Sequence, residues 1–364
     1  LEMTNPGLVY VADGEKFAKV FKNINFNDAE IVFSSNPLEE IDSTEFEELL
    51  AVIPNSEVER NKKRVGPDTI AKILFTSGST GHPKGVINNQ RMLCSNQQAM
   101  SQVWTFLEEK PPITLDWLPW NHTFGGNHNL NMILRNGGTM YIDGGKPAPG
   151  LIEQTVCNLR EVSPTIYFNV PRGYDMLIPY FEGDGDLREV FFKDLDVIFY
   201  AAAALTQSAW EKLEILSKKT IGKRVFMLAG WGATETAPDC TQVHWPISKA
   251  GVIGLPIPST EIKLVPNEEK LEVRVKGPNV MPGYFKDSVL TKKAFDEDGF
   301  YCIGDAAKFE DPLDPIKGIV FDGRVSENFK LSTGTWVSVG NLRTSVVACA
   351  DNVIQDVVVA GHDL

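Results

Sequence analysis

Between residues 71 and 230, short runs rich in branched and aromatic side chains alternate with longer stretches whose apolar residues recur every third or fourth position. "AKILF", "GVINNQ", "ITLDWLP", "GTMYID", "TIYFNVP", "DVIFY" and "RVFMLAG" read as strands. "RMLCSNQQAMSQVW", "LIEQTVCNLREV" and "QSAWEKLEILSKK" read as helices. Such alternation points to a parallel or mixed sheet covered on both faces. Residues 7–53 repeat the pattern as strand, helix, strand, helix, and residues 54–69 ("PNSEVERNKKRVGPDT") read as a polar connector. From about residue 250 the chain turns to short strands with Gly and Pro, the style of a small β-rich subdomain. "IVFDGRVSENFKLSTGTWVS" reads as a strand, a turn and a hairpin, followed by one helix and one strand. The whole is α/β.

Within that frame, residues 73–87 ("ILFTSGSTGHPKGVI") crowd three glycines and four hydroxyls around a single lysine. The chain carries 48 acidic against 35 basic residues, a net charge of −13. That balance excludes a nucleic-acid or anionic-membrane surface, so an anionic ligand has to be captured locally. Thr76, Ser77, Ser79 and Thr80 offer hydroxyls, Gly78 and Gly81 allow close backbone approach, and Lys84 supplies charge. This is not a Walker A loop, because Pro83 precedes Lys84 and Gly85 follows it. Phosphate capture is one reading; a glycine-rich turn is the other. Five scattered cysteines suggest neither a disulfide framework nor a CxxC metal site, which fits a reducing, cytoplasmic setting. No apolar run approaches the ~20 residues that cross a bilayer. His128, six residues after His122, has no usual zinc spacing.

Taken whole, "TSGSTGHPKG" resembles the signature loop of the adenylate-forming superfamily, and further segments resemble its other motifs in family order. "PWNHTFGG" is similar to the Pro-x-x-His segment, whose histidine (here His122) lies near the acyl carboxylate. "YAAAALTQ" resembles the small-residue strand end that meets adenine, through Ala202 and Ala203. "GWGATET" resembles the aromatic-Gly-x-Thr-Glu motif. The resemblance implies that Gly230, Trp231 and Gly232 lie against adenine, that Thr234 reaches phosphate, and that Glu235 holds Mg²⁺, with Thr80 a second candidate ligand. Trp231 stands where tyrosine is commoner, and keeps a π face. "GFYCIGD" is similar to the segment ending in the ribose aspartate, Asp305, which has no cation beside it along the chain. "FDGRVSENFK" resembles the hinge motif, with Arg324 toward ribose or phosphate and Lys330 on the moving domain. Ser326 occupies the usual hinge position, commonly Asp or Lys.

"LDWLPWNHTFGGNHN" and "DGRVSENFKLSTGTWVSVG" are closest in style to feruloyl-CoA synthetases. The resemblance implies ATP-dependent activation of ferulate or a related hydroxycinnamate to an acyl-adenylate, then transfer to CoA with release of pyrophosphate and AMP. Lys84, His122, Thr234 and Glu235 are the catalytic candidates. Tyr167, Asn169, Val170, His122, Trp231 and Ala237 are candidates for the acyl pocket. Another acid (benzoate, a fatty acid, a carrier-loaded amino acid) and a non-catalytic nucleotide-binding module are the alternatives. The expected organisation is an incomplete large AMP-binding domain over 1–325, its β-rich part at about 250–325, and the start of a small α+β domain over 326–364. The chain opens on Leu1 and stops without a turn or cap, so both ends read as cut. The family's small-domain lysine has no counterpart after Lys330, so slow adenylation is expected of the chain as it stands.

Overall fold

The computed structural model describes residues 3–325 apart from 27, 77–82 and 204, and scattered positions beyond 328. Two units separate, Leu1–Gly66 and Pro67–Leu364. In the first, strands Leu8–Asp13 and Glu30–Ser35 pair in parallel across helix Gly14–Asn23. Asp13 caps that helix by accepting the Lys16 amide, and Phe21, Ile31 and Phe33 form a small core. The expected polar connector contains a helix, Ser56–Lys62, with no buried residue. It has no apolar periodicity to announce it. Local terms hold it instead: Asn55 accepts the Glu57 amide at 2.8 Å, acids fill the first turn, and Arg60 and Lys62 the last.

The second unit is built on a nine-stranded mixed sheet. Its spatial order is Glu261–Asn267, Lys270–Lys276, Tyr301–Phe309, Ile319–Arg324, Val252–Pro256, Asp239–Gln242, Phe226–Gly232, Val197–Tyr200 and Ile166–Asn169. The last three run parallel and the others antiparallel. The parallel strands are buried on both faces because helices flank them, and Trp104, Phe168, Phe192 and Phe199 fill that core. The antiparallel strands are the expected β-rich part, with their own core around Val273, Val275 and Ile303. Helices Pro171–Gly183 and Gly185–Lys193 do not announce themselves, since internal Gly and Pro make the stretch read as loop. Asp184 is both the end of one and the cap of the next, accepting the Leu187 amide at 3.0 Å.

Two smaller pieces complete what the site uses. Strands Ile70–Thr76 and Lys84–Asn89 form an antiparallel hairpin around the signature loop, placing Thr76 opposite Lys84. Residues Thr123–Leu130 form a π-helix after His122. A Cβ on Gly125 or Gly126 would lie 2.5 or 2.1 Å from a backbone carbonyl oxygen, so this helix needs glycine at both positions. The expected hairpin after Arg324 is seen in the pairing of Phe329–Lys330 with Trp336–Val337. The proposed hinge position, Ser326, lies outside the described residues.

Candidate active site

The parallel pairing ends level, at Asn169, Tyr200 and Ala229, and the third strand runs on to Gly232. In open α/β sheets this carboxyl edge is where ligands bind, because loops there are free to diverge. Ala202 and Ala203 follow the middle strand and are exposed, Ala202 in the left-handed region at φ 72°. After Gly232 the chain turns through Thr234–Thr236 and returns antiparallel as Asp239–Gln242. The turn is tight: a Cβ on Gly232 would lie 1.8 Å from the Pro238 carbonyl oxygen. The Ala233 amide donates to the Pro238 carbonyl at 3.1 Å and to Thr236 Oγ1 at 2.8 Å. Thr234 and Glu235 are therefore held buried at the strand edge.

Lys84 reaches this turn through a residue that the sequence did not single out. Its ammonium lies 5.3 Å from the centroid of the Tyr284 ring, and the Tyr284 hydroxyl donates to Glu235 Oε1 at 3.0 Å. Tyr284 is placed by main-chain bonds to the hairpin strand, Phe285 N–H to the Gly85 carbonyl at 2.7 Å and Ile87 N–H to the Gly283 carbonyl at 3.3 Å. Burial, and then the Glu235 charge, push the Tyr284 phenol well above its ordinary pKa, so it stays a donor. A second thread runs from the same strand: Asn88 donates to the Thr234 carbonyl at 3.5 Å and accepts from Asn127 of the π-helix at 2.6 Å. Lys84, Thr234 and Glu235 thus belong to one connected group. Ser77, Gly78, Ser79, Thr80 and Gly81 lie outside the described residues, as does the Lys330 side chain.

A second group gathers Trp231, Asp305 and Arg324. The Trp231 indole N–H donates to Asp305 Oδ2 at 2.9 Å, and Arg324 Nε lies 3.0 Å from Asp305 Oδ1. Along the chain Asp305 has no neighbouring cation, but Asp305 and Arg324 are register partners across the ladder. His122 is exposed, and its Nδ1 accepts the Phe124 amide at 3.2 Å. Partial burial lowers its pKa, so the ring is neutral near pH 7 with the proton on Nε2. Of the pocket candidates, Tyr167 and Asn169 are core residues. Asn169 Oδ1 accepts the Trp117 indole at 3.2 Å and the Val170 amide at 2.9 Å, while its Nδ2 donates to the Tyr167 hydroxyl at 3.3 Å. Ala237 and Trp231 are buried, and Val170 is half-buried.

Beneath the site runs a buried polar strut that sequence reasoning missed. Asp116 Oδ2 accepts from Asn129 Nδ2 at 2.7 Å, and Asn129 Oδ1 lies 2.8 Å from His128 Nδ1. His128 Nε2 lies 3.2 Å from Asp239 Oδ2, an ion-pair distance off the hydrogen-bond axis. Burial opposes charge on His128, yet Asp239, Asn129 and Asp116 outweigh it and raise its pKa. Burial pushes Asp116 up to about 6. His128 joins the π-helix to the strand after the Glu235 turn.

The comparisons with known proteins agree on a family. A family model described as "AMP-binding enzyme" matches residues 9–285, most of the chain. The chain belongs to the AMP-binding enzyme family. It is 28% identical over 243 residues to a probable 4-coumarate–CoA ligase of Dictyostelium discoideum, covering 65% of this chain and 42% of that protein. It is 27% identical to human long-chain-fatty-acid–CoA ligase 1, covering 77% of this chain and 44% of that one. The chain therefore spans less than half the length of these relatives. The structure of anthranilate CoA ligase AuaEII in complex with anthranoyl-AMP superposes with a TM-score of 0.73 at 19% identity, over 95% of this chain and 63% of that one. That likeness establishes the mixed α/β fold of adenylate-forming enzymes.

For an AMP-binding chain, the fit of Mg²⁺ turns on Glu235. Among the described residues, no group of three or more His, Cys, Asp and Glu could hold a metal alone. Glu235 brings one buried carboxylate to the turn, on the side that Tyr284 and Lys84 approach. That suits Mg²⁺, which draws its remaining oxygens from phosphates and water. No helix of the described residues is long and apolar enough to cross a membrane.

Proposed function

We propose that the chain carries the adenylation site of an ATP-dependent acid–CoA ligase whose acid is aromatic, ferulate or a related hydroxycinnamate. One observation carries the reading: Lys84, Tyr284 and Glu235 are linked next to Trp231, which with Asp305 and Arg324 forms a group drawn from three strands of the sheet. A cation and a carboxylate thereby face a phosphate site, with an aromatic face and a diol acceptor on the adenosine side. In the first step a carboxylate oxygen bonds to the α-phosphorus of ATP, the bond to the β-phosphate oxygen breaks, and pyrophosphate leaves. No general base is needed, since the acid is ionised at neutral pH. In the second, the CoA thiolate bonds to the acyl carbon and AMP leaves.

Lys84, with the signature-loop hydroxyls of Thr76, Ser77, Ser79 and Thr80, spreads the charge building on the phosphates. Gly78 and Gly81 allow the loop to close on them, and Ala202 and Ala203 leave room for adenine. Thr234 adds a hydroxyl at the phosphate. His122, neutral with Nε2–H outward, donates toward the acyl carboxylate without adding charge. Mg²⁺, held by Glu235 with Thr80 a second ligand, would neutralise phosphate charge. Arg324 and Lys330 flank a hinge near Ser326, which divides a large domain over 1–325 from the start of a small one over 326–364.

The aromatic acid rests on the feruloyl-type strings around Trp117 and Trp336, supported by the relative named for 4-coumarate. The relative named for long-chain fatty acids keeps a fatty acid as the second reading. Incubating the chain with ATP, Mg²⁺, CoA and a panel of ferulate, 4-coumarate, benzoate and palmitate, with mass spectrometry of the thioesters, separates them. Feruloyl- or coumaroyl-CoA as the main product is expected. Palmitoyl-CoA alone would replace the aromatic reading, and binding of ATP with no adenylate or thioester, even after long incubation with chain in excess over the acid, would leave a nucleotide-binding module.

A further inference from the structure

Trp231 does something that stacking on a base does not require. Its indole N–H is spent on Asp305, 74 residues away along the chain, at 2.9 Å. Two irregularities bring the groups together. The ladder between Phe226–Gly232 and Asp239–Gln242 is bulged between Trp231 and Gly232, and the ladder to Ile319–Arg324 is bulged between Asp305 and Ala307. Bulges re-aim side chains out of the regular pleat. Just before Asp305, Gly304 has φ +79°, a conformation that a side chain rarely adopts. Arg324 meets the other oxygen of the carboxylate at 3.0 Å.

We propose that Trp231 is a positioning residue for the ribose: its indole N–H fixes the plane of the Asp305 carboxylate so that both ribose hydroxyls meet it in register. The inference rests on the reading of Asp305 as the diol acceptor. An ionised carboxylate accepts at about four positions, so a hold from two sides orients it while a diol still binds. Arg324 is half-exposed and on a long stem, so it shifts easily; the indole is buried and rigid. Phenylalanine would keep the π face and lose this donor. Tyrosine would keep a donor and put it elsewhere. The tryptophan thus couples the base face to the ribose grip, and its effect should be read in sugar discrimination rather than in adenine affinity.

The test is calorimetric binding of AMP and 2′-deoxy-AMP to the wild-type chain, Trp231→Phe and Trp231→Tyr, with circular dichroism melts to show that each variant is folded. The wild type should prefer AMP. Both variants should lose about ten-fold in AMP affinity, the scale of a hydrogen bond to a charged group, while 2′-deoxy-AMP changes little, so the preference collapses. Equal loss for both nucleotides would mean that Trp231 only stacks, and an unchanged preference in either folded variant would overturn the proposal. A wild-type chain that binds both nucleotides equally, or neither, would instead remove Asp305 as diol acceptor and the inference with it. If one variant fails to fold, the other carries the same comparison.

Discussion

Replacing His128 by leucine isolates the buried strut, because volume is roughly kept and the charge removed. In the wild type His128 and Asp239 are both buried, 3.2 Å apart, in a core where His128 stacks on Phe199 at 5.2 Å between ring centroids. Taking away one partner of a buried ion pair leaves the other uncompensated, which costs about 3–5 kcal/mol. For a unit of the size of Pro67–Leu364 that loss lowers Tm by roughly 5 to 8 °C. Removing both charges, as His128→Leu with Asp239→Leu, should recover much of it, since a buried pair is worth little more than apolar packing. The pH dependence has a fixed sign. His128 has a raised pKa in the fold, so its stabilisation is complete below the unfolded value of about 6.5 and is lost as pH rises through the folded one. Thermal melts of wild type, both single variants and the double variant from pH 5 to 9 read this out. A His128→Leu chain that melts within about 1 °C of wild type and keeps its alkaline slope would refute a stabilising His128–Asp239 pair.

Other outcomes follow from the same geometry. Asp116→Asn should remove one loss of stability as pH rises from about 4 to 6, because a carboxyl raised to about 6 binds its proton more tightly folded than unfolded, so the variant should gain relative to wild type on going from pH 4 to pH 7; guanidinium titrations of both chains at the two pH values check it. Glu235→Gln should cut Mg-dependent pyrophosphate release by on the order of 10²-fold, measured by a coupled phosphate assay. Tyr284→Phe removes a donor to a buried carboxylate and should lower the same rate by about 10-fold, with a loss of stability of about 1–3 kcal/mol read in the melt. Gly232→Ala should yield little soluble protein, its Cβ meeting the Pro238 carbonyl oxygen at 1.8 Å, whereas Gly230→Ala, with nearest contacts of 3.1 and 3.3 Å, should be milder; expression and circular dichroism compare them.

What could be read along the chain and what could not divides by distance in sequence. The strand–helix alternation and the β-rich change near residue 250 are local patterns, and the sheet follows them. Trp231, Thr234, Glu235 and Asp305 sit in contiguous strings whose resemblance to family motifs is what marks them as site candidates. Tyr284 sits in no such string: it matters because the segment Gly283–Phe285 bonds to the Lys84 strand and so carries a phenol to Glu235. Arg324 could be assigned to the nucleotide from its motif, but not to Asp305, since register across a ladder is not written in either strand alone. His128 had the wrong spacing for zinc, and its partner Asp239 is too far along the chain to suggest an ion pair. The helices over Pro171–Lys193 were hidden by Pro179 and Gly183, which tertiary packing of Leu177, Ile178, Phe181 and Phe191 overrides.

The most direct test of an adenylation site here is the fate of ATP in the presence of an acid. Radiolabelled or mass-resolved ATP incubated with the chain, Mg²⁺ and ferulate should give AMP and pyrophosphate only when the acid is present, with feruloyl-AMP trapped when CoA is withheld. ADP and phosphate as products, or AMP formation that ignores the acid, would contradict it.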